Sequence, residues 1–360
     1  MANLQAFLKR KNIVITAKRY GVDALGAMAQ GLFCSLLIGT IVGTLGSQFG
    51  IEAFVTVGNY AKNTAVVGAA MAAAIGWALQ APPLVLFSLI AVGAATNELG
   101  GAGGPLAVLI ITVIAAELGK AVSKETKIDI LVTPFVTIFS GCMLATWCAP
   151  AIGAAASSVG RLIMWATDLQ PFFMGILVSV LVGVALTLPI SSAAICAALG
   201  LTGLAGGAAV AGCCAQMVGF AVMSFPENKW GGLVSQGLGT SMLQMGNIVR
   251  NPRIWIPPTL ASAITGPIAT CLFKLQMNGA PVSSGMGTCG LVGQIGVYTG
   301  WLAPSEAALA NGAAAIAPTA FDWLGLILIC FVLPAVLSTA FCIVLRRIGW
   351  IREGDLTLDQ

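Results

Sequence analysis

The sequence contains no histidine, and this absence removes several classes of catalytic and metal site. Its 360 residues include 17 Lys and Arg and 13 Asp and Glu, but no His. A Ser-His-Asp triad or a Cys-His pair needs an imidazole as its base, so both kinds of nucleophilic site are excluded. The most common metal ligand is also missing, and no two cysteines have CxxC spacing. We therefore expect no metal, no cofactor and no catalytic residue.

Charge is scarce as well. Charged residues make up 8% of the chain and hydrophobic residues 58%, which is too little charge to cover a soluble globule of this length. Apolar windows of about 20 residues recur, as transmembrane helices require, whereas barrel strands would alternate over about 10 residues. The sequence predicts an all-α integral membrane protein with about ten transmembrane helices in contact with lipid. The basic residues behind the net charge of +4 lie beside these spans, so nucleic-acid binding is not expected.

Clusters of Lys and Arg predict the orientation of the chain. Residues 1–21 carry five of them and are typical of an amphipathic basic helix on the cytoplasmic surface. Further clusters lie at 120–127 and at 346–352. Because Lys and Arg are enriched in cytoplasmic loops, both termini are predicted to be cytoplasmic, with an even number of crossings. Residues 346–360 then form a cytoplasmic tail, too short for a soluble catalytic domain.

Polar residues are concentrated between Ser224 and Pro258. Such residues are tolerated within a membrane only where protein or water covers them, so this stretch is predicted to line a cavity. An ordinary loop outside the membrane is the alternative. The candidate substrate-binding residues here are Glu227, Asn228, Lys229, Gln236, Gln244 and Asn247.

A second polar, glycine-rich stretch spans 278–301. Its GMGTC motif at 285–289 resembles GLGTS at 237–241, although chance similarity is an alternative in a glycine-rich chain. Two such stretches predict a pair of re-entrant hairpins that meet at the membrane midplane. The candidate site residues of the second stretch are Ser283, Ser284, Thr288 and Gln294.

A third candidate is the pair Asn97 and Glu98. These residues follow a short apolar run, Leu84 to Thr96, and precede a glycine-rich turn that opens the next helix. Glycines at a helix start let backbone amides face a ligand. A plain external turn with a solvated Glu98 explains the same pattern, and no phosphate-binding GK[ST] follows.

The chemistry of these residues suits a small polar solute such as a sugar. Amide and hydroxyl side chains offer both donors and acceptors, and Glu227 would accept a hydrogen bond from a solute hydroxyl. Lys229, Arg250 and Arg253 leave an organic anion open as an alternative, although Arg250 and Arg253 also fit a cytoplasmic loop.

Several motifs in combination resemble the enzyme IIC permeases of the bacterial sugar phosphotransferase system, over essentially the whole chain. They are FPENKWGG, GLGTSMLQ, NIVRNPRIWIPP, SAITGPIAT and GMGTCGLVGQIG. The most similar branch is that of the perfringolysin regulator PfoR. The resemblance implies a homodimer in the bacterial cytoplasmic membrane, with a scaffold and dimerisation domain at 22–170. It also implies a transport domain at 171–345 that carries the solute by an elevator movement.

The sequence departs from the better-known permeases in two respects. Those proteins commonly place a glutamate, and often a histidine, near the sugar hydroxyl that accepts phosphate. Here only Glu227 or Glu98 is available for that role. No phosphoryl-relay domain is fused to the chain, so any such relay is expected on separate cytoplasmic proteins. A carrier without intrinsic catalysis is therefore the main prediction, and a non-transporting membrane sensor of the same fold is the alternative.

Overall fold

The part of the protein that a computed structural model describes, residues 2–358, is mainly helical. Within this range, β-structure is limited to a single bridge between Gly203 and Met277. Contacts divide the chain into two compact units, one ending at Ala156 and the other beginning at Ser157. The predicted all-α class is confirmed.

The first unit is built from helices of very different length. The helices Thr64–Ala78 (α4) and Pro83–Gly100 (α5) pack closely only because glycines lie between them: a Cβ at Gly93 would lie 2.3 Å from the carbonyl oxygen of Gly68. The helices are α1 (Ala2–Arg10), α2 (Arg19–Phe49), α3 (Glu52–Ala61), α4 (Thr64–Ala78), α5 (Pro83–Gly100), α6 (Gly104–Val122) and α7 (Asp129–Thr167), which continues into the second unit.

The basic segment 1–21 is divided rather than one helix. Helix α1 ends at Arg10, and Asn12 adopts a left-handed backbone with φ 54°, which a continuing helix does not allow. Lys11 holds the segment in place through an ion pair of 2.5 Å with Glu125 and a hydrogen bond to the Ser123 carbonyl. The side-chain hydrogen bond that Lys11 donates to Glu125 holds the pKa of Glu125 below its ordinary value.

The second unit is arranged around one buried helix, α10. This helix spans Gly203–Met223, and 94% of its most apolar 18-residue window is buried. The helix Pro171–Thr187 (α8) packs so closely against it that a Cβ at Gly212 would lie 1.8 Å from the Ser179 carbonyl oxygen. The helices of this unit are α8 (Pro171–Thr187), α9 (Ser192–Ala198), α10 (Gly203–Met223), α11 (Phe225–Val234), α12 (Met245–Arg250), α13 (Ile256–Pro267), α14 (Val292–Leu302), α15 (Glu306–Ala310) and α16 (Ala320–Arg347).

The apolar run 172–199 forms two helices and not one continuous span. Helix α8 ends at Thr187, and α9 begins at Ser192 after the Ser191 hydroxyl caps it by accepting from the N–H of Ala194 at 3.2 Å. Pro189 lies between them, and its missing N–H and fixed φ favour the interruption.

Helices of membrane-spanning length occur in both units. Two shorter apolar helices, α4 and α8, accompany them. A helical membrane protein is thereby confirmed, whereas the number of crossings stays a prediction. The stretches of the described chain that are long and apolar enough to span are Arg19–Phe49, Pro83–Val122, Asp129–Thr167, Gly203–Met223 and Ala320–Arg347.

Candidate functional site

The first polar stretch forms a helix, a turn and a second helix. Proline near its start favours α11, which begins at Phe225. The helical path stops at Thr240, whose backbone is extended and whose hydroxyl accepts from the N–H of Met242 at 3.1 Å. A short 3-10 turn, Ser241–Gln244, then leads into α12. The stretch therefore reverses direction by local capping, and its amides are placed on both arms.

Side-chain amides connect these two arms through a buried chain of hydrogen bonds. The Gln236 amide donates to the Ser224 hydroxyl at 2.8 Å, and the Gln244 amide donates to the Gln236 oxygen at 2.9 Å. Asn247 in turn donates to the Gln244 oxygen at 2.8 Å. Gln236 and Gln244 are fully buried. Three of the predicted site residues are thus brought together.

These side-chain amides, together with Asn228, form hydrogen bonds with main-chain groups of residues 351–358, here named the tail segment. Asn228 donates to the Leu356 carbonyl oxygen at 2.8 Å, and its own oxygen accepts from the N–H of Leu358 at 2.8 Å. Gln244 also donates to the Leu356 carbonyl, at 3.0 Å, and Asn247 donates to the carbonyl oxygen next in sequence at 2.8 Å. The predicted tail therefore lies against the predicted site.

The acidic side chain of Glu227 is held at this site by a cation from α16. Its Oε1 lies 2.5 Å from the Arg346 guanidinium, while its Oε2 is buried with no hydrogen-bond partner among the described residues. The side chain of Glu227 is 6% exposed. It borders a pocket of about 480 Å³ whose lining residues are Glu227, Asn228, Lys229, Gly231, Thr357 and Leu358.

Lys229 has a backbone conformation that is normally reserved for glycine. Its φ of 50° and ψ of −147° put a kink in α11 between Asn228 and Trp230. Such strain costs about 1–3 kcal/mol and persists where the surrounding structure enforces it, often at ligand sites. The kink separates the buried Asn228 from the exposed Lys229 at the edge of the pocket.

The second polar stretch uses its hydroxyl groups to bind neighbouring main chain. Ser284 is fully buried and donates to the Leu201 carbonyl oxygen at 2.7 Å. Thr288 donates to the Gly237 carbonyl oxygen, and this bond joins the two polar stretches. Ser283 is buried as well. Ser284 and Thr288 do not line the pocket beside Glu227.

Gln294 differs from these hydroxyls because half of its amide lacks a partner. Its Nε2 donates to the Cys214 sulfur at 3.1 Å, while its Oε1 is buried without a hydrogen bond among the described residues. It lies at the start of α14 and borders α10, the central helix. The pocket beside Glu227 does not include it.

Asn97 and Glu98 belong to the first unit, where they lie in the last turns of α5 and precede the glycine-rich 3-10 turn Gly101–Gly103. Asn97 is buried and donates to the Thr64 carbonyl oxygen at 2.8 Å at the start of α4. Glu98 is exposed. The structure therefore groups neither residue with the site in the second unit.

Sequence reasoning missed a buried polar network on α10. Gln216 accepts from the Trp255 indole N–H at 2.9 Å and from the Thr187 hydroxyl at 3.3 Å, and its amide donates to Thr259 at 3.3 Å. Thr187 also pairs with the Ser241 hydroxyl at 2.7 Å. A single glutamine inside an apolar span was the available signal, since such residues face protein or water and not lipid.

Comparison with known proteins supports the family and nothing finer. A family model described as "Phosphotransferase system, EIIC" matches residues 22–358. Curated proteins and solved structures gave no match. The predicted resemblance is therefore confirmed at the level of the family, while the branch that includes PfoR stays a prediction. The chain belongs to the phosphotransferase-system enzyme IIC family and is a membrane transport component.

Proposed function

We propose that the protein binds a small, neutral, hydroxyl-rich solute such as a sugar beside Glu227 and moves it across the bacterial cytoplasmic membrane by alternating access. The observation that carries this proposal is the buried carboxylate of Glu227, which has one oxygen paired with Arg346 and the other without a hydrogen-bond partner within residues 2–358. A solute hydroxyl would complete the hydrogen bonds of that second oxygen.

The size and charge of the pocket support a neutral solute. Its volume of about 480 Å³ lies within the range usual for small-molecule sites. The Glu227 carboxylate is balanced by Arg346, so an uncharged solute would leave the pair intact. An organic anion would instead compete with Glu227 for the same guanidinium and would lie beside an uncompensated carboxylate, which costs free energy in a buried site.

The position of the pocket favours a state that is open toward the cytoplasm. Arg346, at the end of α16, lies beside Glu227, and Arg347 and Arg352 follow it. Basic residues at the end of a span favour the cytoplasmic side, so both termini and the pocket would face the cytoplasm. In the proposed cycle, an elevator movement of a transport domain at 171–345, supported by a dimeric scaffold at 22–170, exposes the site to the opposite side.

Phosphorylation of the solute would require separate cytoplasmic relay proteins. Because the chain has no histidine, Glu227 is the residue that would act as base toward the accepting hydroxyl; the lack of a hydrogen-bond partner for its Oε2 in the described part of the chain supports that role.

The proposal is tested by uptake into proteoliposomes of radiolabelled glucose, galactose, mannitol and N-acetylglucosamine. Glu227→Gln should reduce uptake of the transported solute at least about 100-fold, because a catalytic or binding hydrogen bond to a charged group is lost. Glu98→Gln is the matched control at an exposed carboxylate and should leave uptake unchanged.

Two results would redirect the proposal. A solute whose binding affinity depends on Glu227, but which never crosses the membrane, would favour the non-transporting sensor. Uptake of a dicarboxylate that is abolished by Arg250→Gln or Arg253→Gln would favour the organic-anion carrier. Equal uptake by the wild type and Glu227→Gln would contradict the placement of the site.

A further inference from the structure

The tail segment is bound by its main chain, much as a ligand would be. Asn228 contacts it with both ends of its amide, donating to the Leu356 carbonyl and accepting from the Leu358 N–H. This two-point contact recognises main-chain groups of the tail segment without regard to its side chains, as in other modes of peptide recognition. The tail segment therefore presents to the site the same donor and acceptor groups that a polyhydroxylated solute would present.

Two further amides of the predicted site are occupied by the same segment. Gln244 donates to the Leu356 carbonyl, and Asn247 donates to the Thr357 carbonyl. Each N–H that binds the tail segment is unavailable to a solute. If the segment left without a replacement, these buried donors would lose their partners, which is unfavourable. Departure of the tail segment and arrival of another hydrogen-bonding group are therefore coupled.

Apolar burial also holds the segment in the site. The Leu356 side chain is fully buried and that of Ile351 is 2% exposed, although the residues between them are mostly exposed. Gly354, with φ 90°, lets the chain turn so that Leu356 points back into the protein. The residues at 352–354 thus form an exposed loop between two buried anchors.

A second set of contacts, at the edge of the site, holds Trp350, which precedes the tail segment, and Asp355 within it. Asn251 donates to the Trp350 carbonyl oxygen at 3.0 Å and to the Asp355 carboxylate at 2.8 Å. Arg253 lies over the Trp350 ring at 5.2 Å. These contacts are partly exposed and do not involve the buried amides, so they can keep the segment nearby after Leu356 has left.

We propose that the tail segment is a reversible plug that occupies part of the solute site and is displaced when solute binds. The inference rests on the proposed function, since it assigns a regulator to that same site. The pocket that remains beside Glu227 is bounded by Thr357 and Leu358 of the plug itself. A solute entering there lies beside Glu227 and competes with the plug for Asn228.

The test uses Leu356→Asp in the full-length protein, with Glu353→Gln as the control. A charge in place of the buried leucine should release the plug without changing any side chain that binds solute. If the plug is docked in about nine of ten molecules, the concentration of sugar at half-maximal uptake should fall about tenfold. Glu353 is exposed in the loop, and its substitution should change nothing.

Trypsin provides a readout of docking that does not depend on transport. Cleavage after the exposed Arg352 needs the chain to leave the contact between the Arg352 N–H and the Asp355 carboxylate. In the wild type, the transported sugar should accelerate release of the peptide beginning at Glu353. In Leu356→Asp, release should be fast with or without sugar, and Arg352→Gln should abolish it.

The outcomes separate this inference from the proposed function. A Leu356→Asp protein that takes up sugar with unchanged or weaker affinity, while Glu227→Gln is inactive, would overturn the plug and leave the carrier intact. Absence of uptake and of sugar-dependent cleavage in both the wild type and Leu356→Asp would overturn both. Should Leu356→Asp fail to fold, Asp355→Ala, which removes the contact with Asn251, should produce the same changes to a smaller extent.

Discussion

The two polar stretches of the second unit have similar sequences but use their polar atoms differently. In the first, amides from both arms bind the tail segment, and Glu227 keeps one oxygen without a partner. In the second, Ser284 and Thr288 bind main-chain carbonyls of the surrounding unit. Polarity within a membrane protein therefore has two uses: fixed hydrogen bonds stabilise the fold, and exchangeable ones are available to a ligand.

The matching motifs show this difference at the level of single residues. In GLGTS, Thr240 caps the turn that follows it, and Ser241 pairs with Thr187. In GMGTC, the corresponding threonine, Thr288, reaches across to Gly237, inside the first motif. The two motifs meet, but they do not repeat the same local structure. Similarity of sequence alone therefore does not make the second stretch a second solute site.

The largest effect on stability is expected from Arg346→Gln, which tests whether the first stretch depends on a balanced charge. Removal of the guanidinium leaves Glu227 buried without a counterion. We expect a loss of about 2 kcal/mol in the free energy of unfolding, less than for a fully buried pair, because the Arg346 side chain is 27% exposed. Chemical denaturation in detergent, followed by tryptophan fluorescence, measures this change.

The double variant Glu227→Gln/Arg346→Gln is the control for that experiment. Because it removes both charges, it should recover most of the lost stability, and a double-mutant cycle gives the coupling between the two residues. Equal destabilisation by the single and double variants would show that Arg346 acts through packing and not through Glu227.

A smaller loss of stability is expected from Thr288→Val, which tests whether the polar atoms of the second stretch stabilise the fold and do not bind solute. The hydroxyl is fully buried and donates to Gly237, so its removal should lower the free energy of unfolding by about 1–2 kcal/mol. The half-saturation concentration for uptake should change less than about twofold, since Thr288 does not line the pocket.

Thr299→Val serves as the matched control. Thr299 lies on α14 and donates only within its own helix, to the Ile295 and Gly296 carbonyls, so a change of less than about 0.5 kcal/mol is expected. A large rise in half-saturation concentration for Thr288→Val, at unchanged stability, would instead place Thr288 in the solute site.

The backbone of Lys229 gives a finer test of the first stretch. Lys229→Gly should be about 1 kcal/mol more stable than Lys229→Ala, because only glycine adopts φ 50° and ψ −147° without strain. Melting temperatures of the two variants in the same detergent provide the comparison. Identical melting temperatures would mean that the kink at Lys229 relaxes when the side chain is shortened.

The sequence was sufficient to predict the fold class. Long apolar runs and the composition of a span are local properties, so they are readable from the chain. The partners of Glu227 and Asn228 were not readable, since Arg346 and Leu356 are more than a hundred positions away along the chain. The docking of the tail segment was not readable either, because its hydrogen bonds to the site use main-chain carbonyls, whose partners do not depend on the local side chains.

The smallest effect on stability, and the finest distinction between the two stretches, is expected from Gln294→Met. Its Oε1 is buried without a partner and its Nε2 has only a sulfur acceptor, so replacement by an apolar side chain of similar volume should change the free energy of unfolding by less than about 0.5 kcal/mol. The same substitution at Gln244 removes hydrogen bonds to Gln236, Asn247 and Leu356 and should lower the free energy of unfolding by about 2 kcal/mol.

Uptake by Gln294→Met then decides whether the second stretch binds solute. If this variant keeps its stability but loses uptake, the Oε1 of Gln294 binds the solute, and the second stretch contributes to the solute site. If uptake is also unchanged, solute binding is confined to the first stretch, because the hydroxyls of Ser284 and Thr288 already have main-chain acceptors.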